Sequence, residues 1–383
     1  MKKGFHSAKT VIWWKILVLY NMKPRNLILM AALLLFFSAL IHFYSMDSQR
    51  VEWQYSSGFF PVFAAKLRMI TGWLPISIGD IFYGLLVIWL IFLCWRFLKT
   101  FLVRSKKPVN KIKFYMGMVQ VVIFLSSLYI IFNIFWGINY NRKGIAWQLG
   151  LEIKPYNSME LKAINCLLID KVNESKTALL RKQKNYPSNK QLYIDVSNAY
   201  ESLATEYPYL KYKHQSIKTS LWGWLGNYTG FTGYYNPFTG EAQLNTTIPA
   251  FLHPFIACHE VAHQLGYAKE MEANFVGYLA ATASSDTIFQ YSVYLDLLTY
   301  ANRNLFAKDS STAKLYRKEL LPEVIKDLTA WREFNRRHQS IFEPVVRWLY
   351  GKYLQKNEQP MGIKSYDEVT GFIIAFYKKF GYI

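Results

Sequence analysis

Residues 257–275 read ACHEVAHQLGYAKEMEANF. Two histidines and three glutamates crowd together here in a chain that is 52 % hydrophobic and only 18 % charged. His259-Glu260-Val261-Ala262-His263 is an H-E-x-x-H sequence. Histidines four apart on a helix project from one face, so both imidazoles can reach a single ion. Pro254 suits a first helical turn and Gly266 is placed to end the helix. Phe255, Cys258, Ala262 and Leu265 form an apolar stripe beside the histidines, able to seat the helix in a core. After the glycine reversal, Glu270 and Asn274 are again four apart and share a face of a second helix. A catalytic zinc takes three protein ligands and leaves one position open. The stretch therefore predicts Zn2+ held by His259, His263 and Glu270, with Glu272 as the alternative third ligand. Glu260, about a quarter-turn from the histidine pair, is placed as a base, and Asn274 as a hydrogen-bond partner that orients a ligand histidine.

Around this centre the pattern is mostly helical. Leu161, Ile164, Leu168 and Val172 recur at helical spacing in a helix over 158–184 that Ser158 can cap, and a second helix covers 190–206. From Leu221 to Ala250 glycines, aromatics and threonines dominate, as short strands and turns require. Helices return beyond Pro254, at 273–283, 287–306, 313–337, 341–354 and after Ser365, which forms a capping-box pattern with Glu368. Within the β element, Glu241 to Thr247 alternates. Gln243, Leu244 and Asn245 are placed to pair with an extended substrate if this is an edge strand, or to form an ordinary hairpin if it is not. Tyr366, His338 and Tyr267 are candidate oxyanion donors on residue type alone, with Tyr366 taken first. The aromatics from Trp222 to Tyr235 read as core packing, with a substrate groove or lipid contact as alternatives.

The first 140 residues are of another kind. Residues 26–44, 76–95 and 115–136 are each apolar for about the 20 residues that cross a hydrocarbon core. Val11 to Tyr20 is shorter, is interrupted by Lys15, and reads as an interfacial helix rather than a signal peptide. Asp80, following Pro75 and Gly79, reads as a helix cap at the entrance of the second span. Lys2, Lys3, Lys9, Lys15, Lys23 and Arg25 precede the first span without an acid among them. A second all-basic run, Lys99 to Lys113, separates spans two and three. By the positive-inside rule both face the cytoplasm, and the chain after Gly137 is extracytoplasmic. The division expected is a membrane region over 1–140, an exit linker at Asn139 to Gly150, and a soluble domain over 141–383.

The net charge of +20 sits largely in those juxtamembrane clusters. Anionic headgroups explain it, and no nucleic-acid motif accompanies it. Three cysteines give no disulfide framework. Cys166 and Cys258 read as small core residues, with a bridge between them as the alternative.

His259, Glu260, His263 and the following Glu270, Ala273 and Asn274 resemble the zincin metallopeptidases, particularly the glutamate-zincins, whose H-E-x-x-H is followed by a helix reading E-x-x-A-D or E-x-x-A-N. The interval from His263 to Glu270 is shorter than usual in that group. His263 to Gly266 instead echoes the metzincin H-x-x-G turn, whose third ligand would fall at Lys269, beside Glu270. The whole chain also looks like an uncharacterised bacterial family with three N-terminal spans and an extracytoplasmic H-E-x-x-H domain, a likeness that extends to PISIGD (75–80) and SYDEV (365–369). These resemblances imply a mainly α protein, three transmembrane helices followed by a mostly helical zincin-like domain with a small β element. They imply a zinc metallopeptidase anchored in the bacterial inner membrane, acting on a peptide or protein substrate from the periplasmic face. The alternative is a non-enzymatic membrane protein whose zinc stabilises a binding domain. An intramembrane protease is excluded, because no 18-residue apolar segment encloses the motif.

Overall fold

The computed structural model describes residues 22–103, 111–183 and 185–383; the expected interfacial helix at 11–20 lies outside them. The chain divides into two compact units, residues 1–47 with 87–135, and residues 48–86 with 136–383. In the first, helices α1 (Pro24–Ser45) and α4 (Lys111–Phe135) pack through Leu27, Ala31 and Ile123. Helix α3 (Ile78–Val103) contributes to both units. These three helices are long and apolar enough to cross a bilayer, within Pro24–Ser45, Ile78–Trp95 and Phe114–Phe135.

The second unit contains more than the expected 141–383. After Ser48–Arg50 the chain forms a π-helix, Val51–Phe59, then α2 (Phe60–Thr71). Val51, Glu52, Tyr55, Phe60, Ala64 and Arg68 are all buried, so the segment between spans one and two is core rather than loop. The expected exit linker is also core. It folds as a 3-10 turn, Gly137–Asn141, and the short α5 (Gly144–Gln148), with Asn139, Tyr140, Arg142 and Ile145 buried. A segment holding a buried arginine and tyrosine cannot be a free tether.

Helix α6 (Ser158–Arg181) buries Leu161, Ile164, Leu168 and Val172 as their spacing predicts. Its cap is Asn157 rather than Ser158, in a capping box with Glu160. Helix α7 (Asn189–Glu206) is capped by Ser188. The sheet has the order β1-β3-β2, from Ile217–Thr219, Glu241–Leu244 and Gly233–Asn236; β1 is parallel and β2 antiparallel to β3. A one-turn-longer element, α8 (Gly223–Thr229), links β1 to β2.

Helix α9 (His253–Gln264) and α10 (Glu270–Ala283) follow, then α11 (Thr287–Lys308), α12 (Ser310–Tyr316), α13 (Pro322–Arg337), α14 (Glu343–Lys356) and α15 (Val369–Phe380). The helix expected over 313–337 is broken ahead of Pro322, whose ring cannot continue a preceding turn. Ser365 does not cap α15. It lies inside a 3-10 turn, Gly362–Tyr366, and its buried hydroxyl has no hydrogen-bond partner. Cys166 and Cys258 are free thiols, the second fully buried.

The PISIGD motif docks the start of α3 onto the sheet. Ser77 Oγ accepts from Asp80 N at 2.9 Å, which makes Ser77 the cap. The Glu241 carboxylate accepts from the backbone N–H groups of Ile78 and Gly79, and Asp80 accepts from Tyr234 Oη and, at 2.6 Å, from Leu221 N. A Cβ at Gly79 would stand 2.5 Å from the Gln243 side chain, so only glycine permits this approach.

Candidate metal centre

Helix α9 is buried on nearly every side, against α10, α11 and the sheet. Gly277 of α10 sets the closeness of the pair, because a Cβ there would lie 3.1 Å from His259 N. After Gln264 the chain reverses at Gly266, whose φ of +91° lies in the region that favours glycine. The reversal brings Glu270, the first residue of α10, back over both histidines.

Ligand atoms of His259, His263 and Glu270 all lie within 4.8 Å of one another. Glu270 Oε2 stands 3.3 Å from His259 Nε2 and 3.5 Å from His263 Nε2. Two tetrahedral donors about 2.0–2.1 Å from one zinc are roughly 3.3 Å apart, so both separations fit a shared ion. Glu270 Oε2 is buried and makes no aligned hydrogen bond. An orphaned carboxylate oxygen is costly unless a cation meets it. His263 Nδ1 lies 2.7 Å from the carbonyl of Tyr267. A carbonyl only accepts, so the proton sits on Nδ1 and the Nε2 lone pair faces Glu270. The residues present therefore fit a tetrahedral divalent ion.

The charges agree. Burial opposes ionisation of Glu270, but the two imidazoles beside it hold its carboxyl well below the usual range. Burial lowers His263, and the Glu270 carboxylate more than reverses this, to about 9.

The alternative ligand is turned away. Glu272 points at Gly144, where a Cβ would collide with its carboxylate, and burial pushes it up to about 7 against the pull of Lys269 and Arg142. Glu260 faces the cleft beside Gly233 of β2, where a Cβ would lie 2.6 Å from its Oε1. Burial raises Glu260 to about 7, against the lowering effect of His259 and His263. Asn274 does not bond a ligand histidine. Its Nδ2 donates to the carbonyl of Tyr366 at 3.4 Å, and His259 Nδ1 is buried without a partner.

The expected substrate strand is overturned. β3 is the middle strand, hydrogen-bonded on both sides and wholly buried. Gln243 bonds Ser77, Leu244 is core, and Asn245 is tied to Asn227 and the carbonyl of Phe231. Of the two edge strands, β1 and β2, it is β2 that reaches the cleft, through Gly233. Asn245 N donates to Thr232 O at 3.0 Å, so by antiparallel alternation Gly233 turns its N–H and C=O outward.

Of the oxyanion candidates, Tyr366 lies at the site, its ring stacked over His259 at 6.3 Å. The Tyr267 hydroxyl is spent on Gln148 at 2.6 Å, and His338 packs between Phe334 and Tyr228. Tyr350, with no local signal in the sequence, donates to Glu270 Oε1 at 2.7 Å, which leaves Oε2 for the ion. Gln359 accepts from Glu270 N at 2.9 Å. Further out, Glu52 grips Arg142 at 2.6 Å, and Arg142 donates to Gly266 O at 3.1 Å and covers the Tyr267 ring. Arg68 donates to Gln264 O at 2.9 Å, closing the end of α9. The reversal that carries the ligands is thus held from the segment between spans one and two.

A cleft of about 610 Å³ opens above His259 and Glu260, walled by Phe231 to Gly233, Phe255, Asp296 and Tyr350.

Taken together, these features define a helical protein with three bilayer-length apolar helices and a buried His-His-Glu cluster under an open cleft. The chain belongs to the family described as a protein of unknown function (DUF3810), which matches residues 55–374. That match begins inside the π-helix, three residues after Glu52, and takes in Arg68 and Arg142. No curated protein and no solved structure matches the chain.

Proposed function

We propose that the chain is a membrane-anchored zinc metallopeptidase of the zincin kind, hydrolysing peptide or related amide bonds on the extracytoplasmic side. The convergence of His259, His263 and Glu270 on one point, with Glu260 beside it at the floor of an open cleft, carries the reading. When bound, zinc supplies Lewis-acid polarisation of a water and of the scissile carbonyl. Glu260, buried at the cleft floor beside both histidines, is placed to take a proton from an attacking water and to return it to the leaving amine. The outward N–H and C=O of Gly233 are placed to pair with an extended substrate, in the role first given to 243–245. Tyr366 offers an O–H donor beside His259 for the developing oxyanion. The side of the membrane follows from the basic clusters before span one and between spans two and three.

The test uses the full chain purified in lipid nanodiscs. Metal content and cleavage of a mixed peptide library are measured for wild type and Glu260→Gln. One zinc per chain in both, with cleavage in wild type alone, is the expected result. Zinc in both with no cleavage in either would favour a zinc-stabilised binding domain, and absence of zinc would remove the reading altogether. An alkaline phosphatase reporter fused after Ile383 should be active; an inactive fusion reverses the orientation.

A further inference from the structure

The second unit carries its own marker of where lipid begins. Residues 78–86 open a bilayer-length helix, yet belong to the same compact unit as the cleft. Helix α8 is fastened beside them. Trp222 Nε1 donates to Asp80 O at 3.0 Å, and the Trp222 ring lies against Gly84, one turn further along the span. Around this point Leu221, Trp222, Trp224 and Leu225 are exposed, as are Trp73 and Ile76 just before the span. Tryptophans at the level where a helix leaves lipid are the ordinary interfacial pattern.

Helix α14 extends this surface. Val345, Trp348 and Leu349 recur at helical spacing along it, Ile341 and Phe342 directly precede its first residue, and all five are exposed, Ile341 at 83 % and Trp348 at 61 %. Five large apolar side chains gathered at the start of one helix are more than a water-facing surface leaves bare. Exposed Arg336, Arg337, Lys352 and Lys356 flank the stripe, as anionic headgroups favour. Helices α8 and α14 touch: Ser340 Oγ donates to Tyr228 O at 2.6 Å, and the Phe231 and Tyr350 rings meet at 5.4 Å. Their other faces line the cleft, through Gly226 and Asn227 on one side and Val346 and Tyr350 on the other.

We propose that α8 and α14 dip their exposed apolar faces into the bilayer surface and hold the mouth of the cleft against it, so that the substrate is a polypeptide anchored in the same membrane. The lipid contact stands on the exposed faces and their continuity with span two. The substrate class rests on the hydrolase reading above. A cleft held at this level receives the stretch of chain next to a membrane anchor and disfavours a freely diffusing folded protein.

Two measurements separate these parts. In full-length chain with Cys94 and Cys166 replaced by alanine, a nitroxide is placed at Val345→Cys or, as control, at Glu174→Cys. The control lies by the N-terminal end of α13, one helix length or about 24 Å from Tyr228. In nanodiscs of phosphatidylethanolamine and phosphatidylglycerol, the Val345 label should collide with oxygen in preference to a water-soluble nickel chelate, and the Glu174 label should do the reverse. Chelate access at Val345 overturns the lipid contact. Dipolar broadening that vanishes on dilution with unlabelled chain assigns the stripe to a second copy and overturns it equally. In the second arm, Val345→Glu with Trp348→Glu is compared with wild type on a palmitoylated peptide library and its soluble counterpart. Cleavage of the tethered library should fall at least about 10-fold and that of the soluble library should be unchanged. Equal loss on both libraries overturns the substrate class. Wild type that cuts neither library sinks the hydrolase reading and leaves the label result to decide the membrane contact.

Discussion

Glu52 stands more than 200 positions before the H-E-x-x-H helix, yet it supports the turn that carries the His-His-Glu cluster. Its carboxylate meets Arg142 through a two-pronged contact, 2.6 Å from Nη2 and 3.1 Å from Nε, and also accepts from Gln148 Nε2 at 2.9 Å. The side chains of Arg142 and Glu52 are 2 % and 1 % exposed. Glu52→Gln preserves volume and removes the charge, leaving a guanidinium desolvated and unpaired. Breaking a buried pair in this way costs about 3–5 kcal/mol. At about 2–4 °C per kcal/mol for a domain of this order, the melting temperature should fall by roughly 6–20 °C. Arg142 also holds Gly266 O, next to the Tyr267 carbonyl that orients His263, so zinc affinity should drop about 10–100-fold. The assays are thermal unfolding of the full chain in detergent and competition with a fluorescent zinc chelator. Arg142→Met in combination should recover part of the loss, since it removes the guanidinium that Glu52→Gln leaves buried and unpaired. The pH dependence has a fixed sign. Burial opposes ionisation of Glu52 but Arg142 outweighs it and lowers its folded pKa below 4.5. The pair's contribution is therefore present above pH 4.5 and is lost as pH falls through the folded value. A Glu52→Gln protein within about 1 kcal/mol of wild type, or single losses that simply add in the double variant, would refute the clamp.

Tyr350→Phe removes the donor to Glu270 Oε1 and frees that carboxylate to rotate; zinc affinity should fall about 10–100-fold with little change in fold, read by chelator competition and circular dichroism. Gly233→Ala pushes a methyl group onto Glu260 Oε1 at 2.6 Å, so turnover should drop on the order of 100-fold while zinc content stays at wild-type level. With Glu260 active as an ionised base, kcat/KM should rise with pH along a limb at or below about 7, because a bound cation moves that limb only downward; a profile flat across this range would remove Glu260 from the base role. A fragment of residues 141–383 lacks Glu52 and Arg68 and should neither fold nor retain zinc; a soluble, zinc-loaded fragment would show the earlier segment to be dispensable.

The His-His-Glu cluster was legible because its parts are local. A helical repeat of 3.6 residues puts His259 and His263 on one face, and a glycine with a left-handed backbone returns Glu270 to them within one short turn. The choice between Glu270 and Glu272 was not local. Positions two apart on α10 face different neighbours, and the packing of Gly144 and Arg142 turned Glu272 outward from the site. Asn274 shows the same limit: spacing put it on the face of Glu270, but the approach of the 362–366 turn captured its amide.

Apolar length alone determined the three helices long enough to cross a bilayer, since that fitness is a property of one segment and its composition. Helical spacing likewise determined most of the helices and the pair of imidazoles. Tertiary structure alone decided that β3 is a middle strand and β2 an edge, because a strand's edge is defined by partners absent from its own sequence. It alone recruited Glu52, Arg68 and Tyr350 to the centre. Burial makes a distant charge or hydroxyl seek whatever partner the fold brings within hydrogen-bond reach, and no periodicity records that meeting.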